Sequence, residues 1–341
     1  MKKYINYVIY NNKNKRLYDK NKIVAKNSIL YKIIEKYKIP THLTNIKVII
    51  HNSVKEADNS IVYIGDDQTG KEQYIYGLDY VKKRTENRLN IFLNVENNIK
   101  NIYHFINNNL AKKIVILTDD VVFSVILLLE LTLFIRVGKR KYFDANKTVG
   151  ILTLQNNHVT INNDIITLDF LGKIKKQYIF HILKSVHNLL YRSLKLIIIN
   201  NKNRKPDDFF FINSHRVVFT ENKLYYYIKQ FNIRFKDLRM YGVNLILIKE
   251  LWKELQENTY DMHNKKKLLN ILIKSTSEII GHTPSISKSS YILNDLIDNI
   301  LNNHDMVKQI TLINFDKFYI YIIKLLKKIY NYKCLMGQKK T

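Results

Sequence analysis

The chain has 341 residues, and its 56 Lys and Arg against 29 Asp and Glu give it a formal net charge of +27. Its single cysteine, Cys334, excludes an intrachain disulfide and a cysteine-based zinc site. The charge indicates a polyanionic partner such as nucleic acid or an acidic membrane surface, although A/T-rich codons account for part of the lysine excess. The length is sufficient for two domains with their own hydrophobic cores.

The N-terminal region is predicted to be a small domain made mainly of β-strands. A helix is predicted near residues 29–37, and strands are predicted at residues 4–10, 46–51, 60–64 and 73–76. The first six residues lack the apolar core of a signal peptide, so secretion is not expected. The charged run at residues 81–88 is predicted to be a linker, which gives an N-terminal domain of residues 1–84 and a second domain of residues 85–341.

Residues 65–71, Gly-Asp-Asp-Gln-Thr-Gly-Lys, match the first seven positions of a phosphate-binding P-loop. The eighth position is Glu72, whereas a P-loop needs a Ser or Thr hydroxyl there and leads into a helix. This segment joins two predicted strands and contains Asp66 and Asp67, which would repel phosphates. We therefore predict a hairpin turn and no bound nucleotide.

Helical patterns dominate from residue 91 onward. Residues 121–135 are apolar but contain Glu130 and fall short of the ~20 residues that a membrane span needs, so a buried helix is predicted and no membrane association. Thr118 is expected to cap this helix, and Gly138 to relieve the backbone where it ends.

A second long helix and a small sheet complete the predicted α+β fold. Apolar residues recur at three- and four-residue steps along one helical face: Leu238, Tyr241, Leu245, Ile248, Trp252 and Leu255. Arg239 falls at the start of this helix, off the buried stripe. Residues 148–154, 158–161 and 165–170 are predicted to form a small antiparallel sheet, with Lys173 just beyond its third strand.

Polar motifs in the second domain contain a phenol, an imidazole and fixed cations. Tyr291 and His282 lie in the segment Gly-His-Thr-Pro-Ser-Ile-Ser-Lys-Ser-Ser-Tyr, and Arg136, Lys173 and Arg239 lie upstream. A phenol with the usual pKa of ~10 is a poor nucleophile and needs such cations before it can attack a phosphodiester. Each residue alone has an ordinary structural interpretation, such as a helix cap, a turn lysine or a core tyrosine.

Together these residues resemble the catalytic set of the poxvirus type IB DNA topoisomerases. The resemblance covers nearly the whole chain in the family's order, including residues 38–44 and 73–77. It implies relaxation of supercoiled duplex DNA through a 3′-phosphotyrosyl intermediate, strand rotation and religation, by a monomer that clamps DNA and requires no cofactor, metal or ATP. It also implies a location in the virion and at cytoplasmic viral replication sites.

The resemblance implies a role for each residue of the set. Tyr291 would be the nucleophile, Arg136 and Arg239 would hold the non-bridging oxygens, His282 would donate to one of them, and Lys173 would protonate the leaving 5′ oxygen. DNA contacts are implied in both domains, by Gln73, Tyr74, Tyr76, Lys139, Tyr142 and Lys236. A buried aromatic strand face is the alternative interpretation of the two N-terminal tyrosines.

Three positions depart from the family's pattern: Glu72, Ile174 and Ser289. The related enzymes favour a pyrimidine pentamer ending in two thymines, and a similar preference is expected here. A tyrosine recombinase uses a comparable residue set but usually has a histidine two residues before the arginine, where this chain has Asp237. An architectural DNA-binding protein would explain the charge but not the ordered motifs.

Overall fold

The computed structural model describes residues 6–112, 116–256, 265–281, 283–293, 296 and 314–338. The chain divides into two compact units, residues 1–87 and residues 88–341. The α+β fold class predicted from the sequence is confirmed by a strand-rich first unit and a mainly helical second unit. Within the described residues, no helix is long and apolar enough to cross a membrane.

The first unit is built on an antiparallel sheet with the strand order β3-β2-β1-β4-β5-β6. Its strands are β1 (Tyr7–Asn11), β2 (Arg16–Asp19), β3 (Lys22–Ile23), β4 (Thr44–Ile49), β5 (Ile61–Asp66) and β6 (Glu72–Tyr76). Two helices, α1 (Ile29–Tyr37) and α2 (Val54–Asp58), accompany the sheet. Alternate residues of the strands, among them Val8, Leu17, Val48 and Val62, are buried with Ile33 of α1 in one core.

The predicted hairpin turn is confirmed, because residues 65 and 66 end β5 and residues 67–71 connect it to β6. The Asp67 side chain accepts hydrogen bonds from the backbone N–H groups of Thr69 and Lys71 at 2.9 and 3.1 Å. Hydrogen bonds from Thr69 and the Lys71 backbone lower the pKa of Asp67 to about 2. The turn is therefore organised around the Asp67 carboxylate.

The sequence did not predict three short elements of this unit, which are β2, β3 and α2.

The second unit contains most of the helices of the described chain. They are α3 (Leu78–Leu110, which begins before the unit boundary), α4 (Asp119–Leu133), α5 (Arg140–Asn146), α6 (Asn188–Asn200), α7 (Glu221–Ile228), α8 (Phe235–Gln256), α9 (Lys265–Ile280), α10 (Pro284–Ser290) and α11 (Phe315–Gln338). The run at residues 81–88, predicted to be a linker, is instead helical. It contains no Gly or Pro and several good helix formers, so the helix continues through it.

Helix α4 is the buried helix that the apolar run predicted. The Thr118 hydroxyl accepts a hydrogen bond from the Val121 N–H at 3.3 Å, which confirms the predicted cap. The helix ends earlier than expected, with Phe134 in the left-handed conformation at φ 50°. Gly138 therefore lies beyond the helix end, where its φ of 72° and the close approach of Gly150 both require glycine.

The small sheet has the strand order β7-β8-β9, with β7 (Val159–Asn162), β8 (Ile165–Leu171) and β9 (Gln177–Leu183). Two of the three predicted strands are confirmed, but residues 148–154 are not a strand. They contain a 3₁₀ turn, Ile151–Thr153, that packs beside the Arg136 segment. The third strand is β9, so Lys173 lies in the turn between the second and third strands and not beyond the third.

Candidate active site

Arg136 lies just beyond the end of α4, in a segment whose backbone is fixed. The Ile151 and Leu152 N–H groups donate to the carbonyls of Arg136 and Val137, both at 2.8 Å. A Cβ atom at Gly150 would lie only 2.4 Å from the Arg136 carbonyl oxygen, so this approach requires glycine. The guanidinium is half-buried, and its buried Nε has no hydrogen-bond partner among the residues that the structure describes.

Lys173 begins the turn that joins β8 to β9. The Gly172 N–H donates to the Lys176 carbonyl at 2.8 Å and closes the turn, which includes the 3₁₀ segment Lys173–Lys175. The Lys173 side chain is exposed. The exposed side chain of Lys173 is thus carried on a turn whose backbone is closed by a hydrogen bond.

Arg239 lies in the first turns of α8, and although it is off the predicted apolar stripe, it is buried. It donates from Nη2 to the Ile280 carbonyl at the end of α9, at 3.3 Å. Burial lowers the pKa of Arg239, and the nearby Glu130 carboxylate opposes that change. An arginine remains charged at neutral pH even so, because its ordinary pKa is above 12.

Tyr291 follows α10, and its backbone is held from two sides. Asn244 of α8 donates to the Tyr291 carbonyl at 2.9 Å and accepts from the Leu293 N–H at 2.9 Å. The buried guanidinium of Arg88 donates to the Ile292 carbonyl at 3.2 Å and also to the carbonyl of Ser289. The ring is half-buried against the core, and its phenol lies within electrostatic range of Arg239.

One pocket brings three of the predicted catalytic residues together. Arg136, Lys173 and Arg239 line it with Tyr178 and several apolar side chains. These residues come from the α4 end, the β8–β9 turn and α8, which are far apart in sequence. His282 lies outside the described residues, and Ile280, at the end of α9, also lines the pocket. The arrangement brings three cationic side chains from distant segments of the chain around one small pocket.

Glu130 is a buried carboxyl group beside these arginines. Burial raises its pKa well above the ordinary range, whereas Arg239 and Arg136 act in the opposite direction. Its Oε2 has no hydrogen-bond partner within the described part of the chain. The only signal in the sequence was one acidic residue in an apolar helix, six positions before Arg136.

The predicted DNA contacts in the second unit are near the start of α5 and α8. Lys139 forms an ion pair with Glu221 and donates to the Tyr225 hydroxyl at 2.9 Å, and these partners raise its pKa. Tyr142 and Lys236 are exposed.

The predicted DNA contacts in the first unit lie on β6, where side chains alternate between the two faces. Tyr74 is exposed and its hydroxyl donates to Glu72 at 2.9 Å, whereas the half-buried Tyr76 stacks on Tyr80 with ring centroids 4.7 Å apart. Gln73 lies on the opposite face from both tyrosines, and its amide donates to Asp67 at 2.6 Å. The two tyrosines therefore share a face that Gln73 does not.

Comparison with known proteins identifies the family. Residues 81–312 match the catalytic core of eukaryotic DNA topoisomerase I, and residues 6–65 match the N-terminal part of viral DNA topoisomerase I. DNA topoisomerase I of Monkeypox virus is 37% identical over 298 residues, which cover 86% of this chain and 89% of that protein. The chain belongs to the poxvirus type IB DNA topoisomerases.

Two further viral DNA topoisomerases are also similar to this chain. DNA topoisomerase 1 of Rabbit fibroma virus is 36% identical over 290 residues, or 84% of this chain and 87% of that protein. DNA topoisomerase 1B of Acanthamoeba polyphaga mimivirus is 27% identical over 306 residues, or 84% of each chain. The protein is thus a type IB DNA topoisomerase, an enzyme that cleaves and rejoins DNA strands.

Sequence reasoning missed the residues that support this topoisomerase's site. The sequence places Arg88 in the predicted linker and indicates no role for Asn244, yet both fix the backbone around Tyr291. Asn244 could have been noticed as a polar residue within an apolar helix. Arg88 could not, because its partners lie 200 or more positions away in the chain.

Proposed function

We propose that this topoisomerase relaxes supercoiled DNA as a monomer through a 3′-phosphotyrosyl intermediate. The Tyr291 oxygen attacks phosphorus, the bond from phosphorus to the 5′ oxygen breaks, and the phenol proton leaves to solvent. Lys173 donates a proton to the departing 5′ oxygen. The free end rotates, and the 5′ hydroxyl then attacks the phosphotyrosyl ester to restore the strand and the phenol.

Charge on the protein stabilises the transition state in this proposal. The non-bridging oxygens gain negative charge, and Arg136 and Arg239 offer forked donors that need no reorganisation at that moment. His282 donates to one of the same oxygens. Because the phosphotyrosyl ester conserves the energy of the phosphodiester, religation needs no ATP, and we expect the arginines to make a divalent metal dispensable.

The observation that carries the proposal is the pocket lined by Arg136, Lys173 and Arg239. Electrostatic proximity of the Tyr291 phenol to Arg239 supports the nucleophile assignment. Tyr74 and Tyr76 on β6, together with Lys139, Tyr142, Lys236 and Gln73, are proposed to hold the duplex. The family's viral members support viral DNA at cytoplasmic replication sites and in the virion as the substrate.

Relaxation of a supercoiled plasmid without ATP and in the presence of EDTA tests the proposal. We expect a ladder of relaxed topoisomers from plasmids that carry no paired recombination sites. We also expect a covalent protein–DNA adduct on the 3′ phosphate. An adduct on the 5′ phosphate would contradict the proposal. Activity that requires two partner sites would also contradict it and would favour a recombinase.

A further inference from the structure

Tyr178 lies at the start of β9 and its ring fits between two glycines. A Cβ atom built on Gly172 would lie 2.6 Å from Cε2 of the ring, and one built on Gly281 would lie 2.4 Å from Cε1. Opposite edges of one phenol ring therefore touch two segments that are more than one hundred residues apart. Gly172 has an ordinary φ of −90°, so the space that the ring occupies is the reason for glycine there.

The Tyr178 hydroxyl adds a polar link to the same segment. It donates to the Gly281 carbonyl at 2.8 Å. The preceding carbonyl, that of Ile280, accepts from Arg239 at 3.3 Å. Two consecutive carbonyls at the end of α9 thus bind Tyr178 and Arg239, which connects the β8–β9 turn to the buried arginine.

The ring is also held in one orientation by its neighbours on the sheet. It stacks on Phe170 and Phe180 with centroids 5.7 and 6.0 Å apart and planes 17° apart in both cases. Tyr178 is directly opposite Phe170 in the β8–β9 register, at the end of the hairpin where the turn begins. Stacking on these aromatic residues restricts the ring, so its two edges act as a spacer that keeps Gly172 and Gly281 at a fixed separation.

The Tyr178 ring lies close to residues of the candidate active site. Lys173 follows Gly172 directly, and Tyr178 lines the same pocket as Lys173, Arg136 and Arg239. We propose that Tyr178 is a positioning residue that sets the distance between Lys173 and the phosphate-binding arginines. This inference rests on the proposed function, in which Lys173 protonates the leaving 5′ oxygen.

The experiment measures single-turnover cleavage at a site mapped for the unmodified protein, with either a normal 5′ oxygen or a bridging 5′ sulfur. A sulfur leaving group needs no acid, so only defects in proton donation disappear on it. We expect Tyr178→Ala to slow cleavage by about 10- to 100-fold on oxygen, since a misplacement near 1 Å has that effect. On sulfur the same variant should cleave nearly as fast as the unmodified protein.

Other variants test the contributions of the Tyr178 hydroxyl, the Tyr178 ring and the β8–β9 turn one at a time. Tyr178→Phe keeps the spacer but loses the link to Gly281, so its defect should be smaller and also rescued by sulfur. Gly172→Ala forces the ring and the turn apart and should produce the same sulfur-rescued defect with the phenol intact. Ile179→Ala, on the exposed face of the same strand, should leave both rates unchanged.

Lys173→Ala distinguishes failure of this inference from failure of the proposed function. If sulfur fails to rescue Lys173→Ala, Lys173 is not the acid and the proposed function is wrong. If sulfur rescues Lys173→Ala but neither Tyr178→Ala nor Gly172→Ala, the positioning role is overturned. Should Tyr178→Ala fail to fold, as shown by its thermal melt, Gly172→Ala and Tyr178→Phe decide in the same way.

Discussion

At the scale of single residues, the contacts of Tyr291 allow its proposed role as nucleophile to be tested without loss of its packing. Its ring packs against the core and Asn244 donates to its carbonyl, and Tyr291→Phe keeps the ring and the carbonyl that make these two contacts. Tyr291→Phe should therefore fold normally and bind duplex DNA with nearly unchanged affinity, but form no covalent adduct and relax no plasmid. The adduct is measured by denaturing gel and the affinity by mobility shift.

A matched control for this prediction is Tyr226→Phe, because Tyr226 is the most exposed tyrosine among the residues of the second unit whose side chains the structure describes. That variant should retain full activity. Persistence of an adduct in Tyr291→Phe would show that another residue is the nucleophile.

Lys139 gives a second prediction at this scale, because its charge is already engaged by Glu221. A phosphate must compete with that carboxylate, so Glu221→Gln should free Lys139 and tighten duplex binding. Half-exposed ion pairs contribute about 0–1 kcal/mol, which corresponds to a gain of up to roughly fivefold in affinity. Affinity is measured by fluorescence anisotropy at fixed salt.

Glu250→Gln provides the same change of net charge at the Lys253 ion pair on α8. It should tighten binding less than Glu221→Gln does. Equal gains in the two variants would show that only the net charge matters and that Lys139 does not contact DNA.

At the scale of elements, the sequence predicted the helices and strands whose hydrophobic pattern can be recognised within a short stretch of residues. The apolar run of α4 and the three- and four-residue steps of α8 were sufficient to identify both helices. Strand β9 was missed because five of the six residues from Tyr178 to Leu183 are apolar or aromatic, which hides the period of two. Residues 148–154 have a strand-like composition, but contact with the Arg136 segment fixes them as a turn.

The candidate site was predicted as a set of residues but not as a geometry. Arg239 lies off the apolar stripe of α8 and is nevertheless buried, because this helix is enclosed on most of its circumference. The link from Arg239 to Ile280 and the fit of Tyr178 between two glycines depend on contacts between distant segments. No local pattern in the sequence contains that information.

The packing of α8 against the end of α4 supports a prediction for the two elements that carry the arginines. A Cβ atom at Gly242 would lie 1.9 Å from the ring of Phe134. Alanine improves helix propensity by about 1 kcal/mol, but forcing a methyl group into a packed core costs about 1–3 kcal/mol. Because a buried aromatic ring must move, we expect Gly242→Ala to lower the free energy of unfolding.

Chemical denaturation measures this effect, and a second substitution tests its cause. Phe134→Leu removes the ring edge that meets the new methyl group, so the double variant should be more stable than the sum of the two single changes predicts. Additive losses would show that Gly242 is required for a different reason.

At the scale of the whole molecule, the positive charge is spread along the chain, whereas the proposed catalytic residues lie in a few segments. Each unit has its own hydrophobic core, and the net charge of +27 extends over the entire chain. The candidate pocket contributes three Lys and Arg side chains of the described residues to that total. Duplex affinity is therefore expected to depend on many lysines and arginines, whereas cleavage depends on a few.

This difference can be measured through salt. Binding that neutralises several phosphates releases counterions, so the logarithm of affinity should fall linearly with the logarithm of salt concentration. Arg136→Ala and Arg239→Ala each remove one phosphate contact, so each should change the slope by about one unit. Each should also slow cleavage by about 10²- to 10³-fold or more, because the lost donor acts mainly on the transition state.

Lys141→Ala is the matched comparison, since Lys141 is an exposed cation on α5 outside the pocket. Its slope should change by about one unit at most, with cleavage at saturating enzyme unaffected. If Arg136→Ala or Arg239→Ala behaves like Lys141→Ala, that arginine only holds DNA. A large loss of cleavage with a slope change of about one unit instead assigns it to the transition state, because uniform binding of substrate and transition state cannot change the rate of the bound complex.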